Sequence, residues 1–182
     1  MDFIQQALDL LRSLAFWDRY FTFISCWTRK EHEDMGLWQS YVRGSGVATK
    51  TTFRALTNAM RTEERMHITE VQYIDFADEA MHDFNSLSPY IHKRIQYSGE
   101  SELRAIIHLR RFPAGVSVVG EELAAQAPPG IPVPVDLDLL VQEIRVYPNA
   151  PSWFRTTIAA VAERFQLSCP VTVSEVDGIP SY

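Results

Sequence analysis

The chain has 182 residues, of which 46% are hydrophobic, so it can build one substantial core and is expected to form a single domain, 1–182. Its formal charge of −6 excludes the strong overall positive field of many nucleic-acid-binding and membrane-surface proteins, but leaves a local basic cluster open. Its two cysteines lie far apart, which predicts neither a disulfide framework nor a zinc site and favours a cytoplasmic protein. No run of about 18 apolar residues occurs, so no membrane span is predicted.

The first predicted element is a helix. Residues 3–17 place apolar side chains at helical spacing, which predicts an amphipathic opening helix within residues 1–20. The aromatic and β-branched run over 20–27 then predicts a buried strand. Within that strand, Cys26 is expected to be a small buried hydrophobe.

A second helix is predicted by a capping signal. Thr28 and Glu31 match a capping box, which predicts a helix over 29–41. This helix would carry Trp38 and Tyr41 near one side.

Three short elements follow a glycine turn. Residues 47–51 predict a strand, and Thr51 or Thr52 is expected to cap a helix over 53–64. The alternation over 67–76 predicts one further strand.

The C-terminal half mixes strands and helices. After a loop over 85–90, apolar residues alternate with polar ones from Glu102 onward, which predicts a half-buried strand that turns at Phe112–Pro113. Residues 126–134 hold four of the ten prolines and predict a surface loop. The last predicted elements are a short helix feeding a strand (138–148), a helix with Pro151 in its first turn (150–167) and a strand (171–176). This irregular mixture predicts the α+β class, with mostly antiparallel sheet and flanking helices.

Two carboxylates open the predicted strand. The strand period puts Glu100 and Glu102 on the same side, roughly 6 to 7 Å apart. Such a pair permits acid–base chemistry, although a Glu-x-Glu is most often a solvated strand face. Arg104 on the same face could neutralise one carboxylate and leave a structural charge ladder. Lys93 and Arg94 could meet a phosphate or these glutamates, and a plain salt bridge is the default interpretation.

Aromatic residues offer a second candidate site. Trp27, Trp38 and Tyr41 could stack against a planar ring such as nicotinamide, although ordinary core packing explains them as well.

A metal site is a third hypothesis. Asp75 could join Glu100 and Glu102 in a magnesium site for nuclease chemistry. The lysine that commonly follows such carboxylates is replaced by Leu103 and Arg104, so no metal is expected.

Several segments carry a resemblance to a known family. The segments are "MGLWQSY", "VQYIDF", "SPYIHKRIQYSGESELRAII" and "VPVDLDLLVQEIRVYPNAPSWF". They resemble the uncharacterised bacterial and phage proteins grouped as domain of unknown function 2971. The likeness runs from about residue 23 to the C-terminus and is most specific in the Trp38-x-x-Tyr41 helix and the block from Lys93 to Arg104. Members of that family usually begin with a further N-terminal segment, which has no match in this sequence.

The Glu-x-Glu placement is also similar, more loosely, to ADP-ribosyltransferases. That resemblance implies NAD as the cofactor, with Glu102 binding a ribose hydroxyl and stabilising the oxocarbenium charge while Glu100 orients or deprotonates the acceptor. It also implies that an aromatic side chain holds the nicotinamide ring and that Lys93, Arg94 and Arg104 bind the rest of the cofactor. These enzymes need an arginine or histidine from an early strand, which this sequence does not show.

Two alternative functions stay open. The first is a non-catalytic interaction module of a phage or bacterial defence system, which binds a protein partner through its acidic surface. In it, Glu100, Glu102 and Arg104 form a charge ladder. The second is the metal-dependent nuclease.

Overall fold

A computed structural model of the chain describes four stretches of residues: 3–42, 44–81, 85–109 and 127–177. The chain forms two compact units, each built from two separate segments: Met1–Arg29 with Thr62–Pro132, and Lys30–Arg61 with Val133–Tyr182. Helices and strands are mixed, and the larger sheets are mostly antiparallel, so the predicted α+β class is confirmed. The single domain expected from the chain length stays a prediction.

The described elements follow one another in this order. The elements up to the middle of the chain are α1 (Phe3–Tyr20), β1 (Thr22–Thr28), α2 (Met35–Tyr41), β2 (Val47–Lys50), α3 (Phe53–Ala59), β3 (Met66–Glu70), β4 (Gln72–Ile74), α4 (Ser88–Ile91) and β5 (His92–Arg94). They are followed by a 3₁₀ helix (Ile95–Glu100), β6 (Glu102–His108), α5 (Leu137–Leu140), β7 (Glu143–Val146), α6 (Ser152–Arg164), β8 (Val171–Val173) and a second 3₁₀ helix (Glu175–Asp177).

Strand β6 is the centre of the first unit. It pairs antiparallel with β1 and with β3, so that Thr28 lies opposite Glu102 and Thr22 opposite His108. Both of its faces are covered. Ile106, on the same face as the buried Glu102, is 0% exposed, and Ile107, on the opposite face, is 4% exposed. The prediction of a half-buried strand was therefore wrong, and the predicted turn at Phe112–Pro113 lies outside the described residues.

Strand β1 has the predicted position but not the predicted burial. It is paired on one side only, with β6, in the described sheet, and Ile24 is 39% exposed. Cys26 is exposed as well, so its prediction as a buried hydrophobe was wrong. An edge strand buries less of each side chain than a central one, and the apolar composition of this strand did not reveal its position in the sheet.

The predicted strand over 67–76 is two strands in different sheets. β3 pairs with β6, whereas β4 forms a parallel pair with β5. The change occurs at buried Val71, whose N–H donates to the Glu102 carbonyl. Part of the predicted loop over 85–90 is also wrong, since α4 begins there with a proline in its first turn.

In the second unit, helix α2 begins later than predicted. Its N-cap is Asp34, whose carboxylate accepts hydrogen bonds from the N–H groups of Gly36 and Leu37. The Thr28 capping box was therefore wrong, because a carboxylate closer to the apolar residues satisfies the first N–H groups.

Helix α3 begins as predicted and ends earlier. Thr52 is its N-cap and accepts from the Ala55 N–H, which confirms one of the two predicted caps. The helix ends at Ala59 because Met60 turns to extended backbone and forms a bridge with Val135.

The second sheet is centred on β7. It pairs antiparallel with β2 and parallel with β8, and Val146 on it is 1% exposed. The predicted elements over 138–148 and 150–167 are confirmed as α5, β7 and α6, whereas β8 ends at Val173, short of the predicted 176. Residues 127–134, the described part of the proline-rich segment, form neither helix nor strand.

Candidate functional site

A left-handed residue separates the two predicted carboxylates. Glu100 ends the 3₁₀ helix, Ser101 has φ 47°, and Glu102 opens β6. The prediction that both glutamates lie on one strand face was therefore wrong, because Ser101 turns the backbone between them. The two side chains still belong to one cluster, because Lys93 lies between them and binds both.

Lys93 links both carboxylates. Its Nζ donates to Glu100 Oε2 and to Glu102 Oε1, each at 2.8 Å. On the other side, Arg104 donates to Glu102 Oε2 from Nε at 2.7 Å and contacts it from Nη2 at 2.6 Å. These four residues are called the Lys93 cluster: two cations and two carboxylates. The default prediction of a salt bridge for Lys93 and the neutralising role of Arg104 are confirmed.

The Lys93 cluster is mostly buried. The Glu102 side chain is 8% exposed and that of Arg104 13%, while those of Glu100 and Lys93 are 19% and 23% exposed. Buried charges are stable only when they are paired and hydrogen-bonded, which is the case for both oxygens of Glu102. The cluster therefore presents one buried carboxylate and two groups that still reach solvent.

The contacts with Lys93 and Arg104 keep the Glu102 carboxylate ionised. Burial raises the pKa of Glu102, but hydrogen bonds with Lys93, Glu100 and Arg104 outweigh burial, so the pKa lies below its ordinary value. Burial lowers the pKa of Lys93, and its bonds to the two carboxylates outweigh that effect and raise the pKa above its ordinary value. Glu102 is therefore ionised at neutral pH with both oxygens engaged. A ligand hydroxyl would therefore compete with Lys93 and Arg104 for these oxygens.

The backbone around Glu102 is fixed as well. Its N–H donates to Tyr73 Oη at 2.8 Å, and its carbonyl accepts from the Val71 N–H at 3.0 Å. Arg104 Nη1 donates to the Tyr90 carbonyl at 2.5 Å. The cluster thus ties β6 to the segments of β4, β5 and α4.

Cations and aromatic rings lie beside the cluster. The Lys93 ammonium is 4.8 Å from the centre of the Tyr97 ring, and the Arg94 guanidinium is 5.9 Å from that of Phe76. Both rings are exposed, Tyr97 by 49% and Phe76 by 43%. This surface was not predicted, although "KRIQY" gives the spacing of its cation and ring.

The predicted aromatic set does not come together on one surface. Trp27 lies opposite Leu103, on the sheet face away from Glu102, and its Nε1 donates to Ser25 Oγ. Trp38 and Tyr41 belong to the second unit. There, Trp38 is buried while Tyr41 is 69% exposed, so the two side chains do not share an environment.

The predicted magnesium ligands are engaged elsewhere. The Asp75 carboxylate accepts from the Ala77 N–H, while the Glu102 oxygens are held by cations. In the part of the chain that the structure describes, no group of three His, Cys, Asp or Glu side chains is arranged to hold a metal ion.

A second ionic cluster in the other unit was missed by the sequence analysis. Arg145 on β7 contacts Glu143 at 2.8 Å, Glu33 at 3.0 Å and Glu175 at 3.0 Å. These four residues are called the Arg145 cluster. The signal was present, since Glu143-Ile-Arg145 repeats the spacing of Glu102-Leu-Arg104.

Glu143 is the most strongly perturbed carboxylate of that cluster. Hydrogen bonds from Arg145 and from Thr172 hold its pKa at about 2, well below its ordinary value. Burial raises the pKa of Glu33, and hydrogen bonds with Ser174, the Glu175 N–H and Trp38, together with the charge of Arg145, outweigh it and lower that pKa. Arg145 therefore holds carboxylates from three segments of the second unit.

No protein-family model matches the chain, and no curated protein or solved structure is significantly similar to it. None of the described helices is both long enough and apolar enough to span a membrane.

Proposed function

We propose that the chain functions as an interaction module and that α1 is its binding element. The observation that carries this proposal is an exposed apolar stripe on α1, formed by Ile4, Leu8, Leu11, Leu14 and Ala15. Ile4 is 64% exposed and Leu11 61% exposed. Contiguous exposed apolar surface of this kind marks protein–protein contact sites.

Helix α1 is anchored at its C-terminal end. Trp17 and Phe21 are each 3% exposed and stack with their ring centres 3.8 Å apart. Trp17 Nε1 also donates to the Leu109 carbonyl at 3.3 Å. The stripe lies on another side of the helix and is available to a partner.

A second copy of the same helix is the partner that fits this stripe. At about 100° per residue, Asp9 and Arg12 fall outside the stripe, which carries no charge between residues 4 and 15. Two stripes can therefore face each other in a two-fold pair without like-charge contacts. A Lys- or Arg-rich partner would find no carboxylate on the stripe between residues 4 and 15.

The size of the stripe sets the expected affinity. The 18 residues of α1 span about 27 Å, which gives a contact of roughly 300 Å² per copy. Stable interfaces bury about 800 Å² per partner. We therefore expect a dimer that forms only in the micromolar range or above.

The test is sedimentation equilibrium over a concentration series. We expect the wild-type chain to pass from monomer to dimer, and Leu11→Glu to weaken the dimer at least about tenfold, because a carboxylate would be buried in the apolar contact. Gln6→Glu adds the same charge outside the stripe and is the control. A wild-type monomer at the highest concentration, or an equal effect of both variants, would contradict the proposal.

The partner surface differs from the acidic one that the sequence suggested. Glu100 and Glu102 are paired with Lys93 and Arg104, so these carboxylates are compensated. The setting in phage or bacterial defence and membership of the domain of unknown function 2971 family stay predictions.

An NAD-using enzyme is the second candidate function. The observation that favours it is the surface beside the Lys93 cluster, where Tyr97 offers an exposed ring and Arg94 a cation for a diphosphate. Cleavage of the nicotinamide–ribose bond develops positive charge on the sugar, which Glu102 would stabilise after exchanging Lys93 for a ribose hydroxyl. Glu100 would then orient the acceptor.

Nicotinamide release from NAD⁺ tests this candidate. If the reaction occurs, we expect Glu102→Gln to reduce the rate by about 100-fold, because the charge that stabilises the sugar cation is removed. Glu143→Gln is the matched control, since it breaks the same Glu-x-Arg pair on the other sheet. No release from the wild-type chain, or equal rates in the two variants, would remove the enzyme candidate.

A further inference from the structure

We propose that the first unit carries an anion site that binds a phosphate monoester, in a cleft between β3, the end of β6 and the segment before α4. The cleft has a volume of about 400 Å³. Its polar lining residues are Glu64, Arg65, His67, Asn85, Ser86 and His108. A cleft of this size fits a small polar molecule.

His108 forms a fixed wall of the cleft. Its Nδ1 lies 2.9 Å from Thr22 Oγ1, and its Nε2 lies 3.3 Å from Asp18 Oδ1. Thr22 Oγ1 donates its one proton to the Asp18 carbonyl at 2.6 Å, so His108 Nδ1 is the donor toward Thr22. Both ring nitrogens face protein groups, which leaves the ligand to other side chains.

Arg65 and His67 supply the charge for binding. His67 on β3 lies opposite Ile106, which places its side chain on the same sheet face as His108. The side chains of Arg65 and His67 form no hydrogen bond or ion pair with the described residues, although the His67 backbone belongs to the β3–β6 pairing. The Arg65 guanidinium and the His67 imidazole, which have no side-chain partner among the described residues, line one cleft. A guanidinium matches the paired oxygens of a phosphate.

Two neutral groups add donors. The Asn85 Oδ1 accepts from the Leu87 N–H at 2.8 Å, which leaves the amide NH₂ for a ligand. Ser86 adds a hydroxyl beside it. The lining is thus rich in donors, and it favours an anion over a cation.

Glu64 determines which kind of anion fits best. Its carboxylate lines the same cleft and would repel a bare phosphate, but it accepts hydrogen bonds from hydroxyl groups. A phosphate that carries a hydroxylated organic group can therefore bind the donors through its phosphate and Glu64 through its hydroxyl groups. This inference is independent of the binding role of α1 and of the NAD candidate.

Isothermal titration with glycerol phosphate and with inorganic phosphate tests the site. We expect glycerol phosphate to bind in the millimolar range or tighter, and Arg65→Gln and His67→Phe each to weaken it at least about tenfold. Arg155→Gln, on the exposed face of α6, is the control and should leave the affinity unchanged.

The comparison of the two ligands tests the role of Glu64. We expect glycerol phosphate to bind more tightly than inorganic phosphate, and Glu64→Gln to reduce that difference. Since Arg65, His67 and Glu64 form no hydrogen bond through their side chains with the described residues, these variants should keep the wild-type unfolding midpoint. Absence of saturation by either ligand, or an affinity that Arg65→Gln and His67→Phe leave unchanged, would overturn the proposal.

Discussion

Replacing Arg145 by methionine is expected to lower the free energy of unfolding by about 3 to 5 kcal/mol at neutral pH. The physical reason is that Glu33 and Glu143 would keep their charges in a largely buried setting, with side chains 10% and 15% exposed, after losing their common cation. The exposed Glu175, at 74%, contributes little to this loss. Urea denaturation followed by circular dichroism measures the change.

The pH dependence distinguishes the charge effect from a packing effect. The pKa of Glu143 falls from 4.5 to about 2 on folding, so its contribution is complete above pH 4.5 and is lost as the pH falls toward 2. In Arg145→Met, the carboxylates become easier to protonate, so the deficit against wild type should shrink over the same window. Arg164→Met, on an exposed site of α6, should change stability by less than about 0.5 kcal/mol. A deficit that is constant with pH would show that lost packing, not charge, causes the effect.

Replacing Lys93 by methionine is expected to cost about 3 kcal/mol of unfolding free energy. Glu100 and Glu102 would then approach each other without the ammonium that separates them, and only Arg104 would remain as a cation. Thermal and urea denaturation give the loss. Because the cluster ties β6 to β4, β5 and α4, hydrogen exchange in these elements should increase with it.

A double variant tests the interpretation of Lys93. Adding Glu100→Gln to Lys93→Met removes one of the two like charges and should restore part of the lost stability, which a double-mutant cycle measures. Lys50→Met is the matched control, since Lys50 is 55% exposed and 3.5 Å from Glu143, and it should cost less than about 1 kcal/mol. Equal losses for Lys93 and Lys50 would contradict a buried cluster.

Local patterns predicted the elements whose stability depends on near neighbours. The helices α1 and α6 follow from apolar periodicity, and the Thr52 cap follows from its place before an apolar run. The same reasoning could not place the break at Val71, because alternation continues across it while the pairing partner changes from β6 to β5. Strand pairing is a non-local property, and a period-two pattern carries no information about the partner.

The candidate site was predicted only in part for a related reason. Lys93, Glu100, Glu102 and Arg104 are close in sequence, and their ion pairs could be predicted from the block that contains them. The left-handed backbone at Ser101, which separates Glu100 from Glu102, could not be predicted, because a left-handed non-glycine residue has no strong sequence signal.

Contacts between residues that are far apart in the sequence were not predicted. Arg145 meets Glu33 and Glu175, which come from segments on either side of it in the chain. Only the nearby Glu143 could have been paired with it from the sequence alone, by analogy with Glu102 and Arg104.

The interleaving of the two units has a consequence for synthesis on the ribosome. Strand β2 ends at Lys50, but its partner β7 begins only at Glu143, after all strands of the first unit have been made. At about 5 to 20 residues per second, β2 waits roughly 5 to 20 s for its partner. The first unit can therefore complete its sheet while the first half of the second unit is still unpaired. A chaperone that acts on the nascent chain would be expected to bind the segment from Lys30 to Arg61 during that interval.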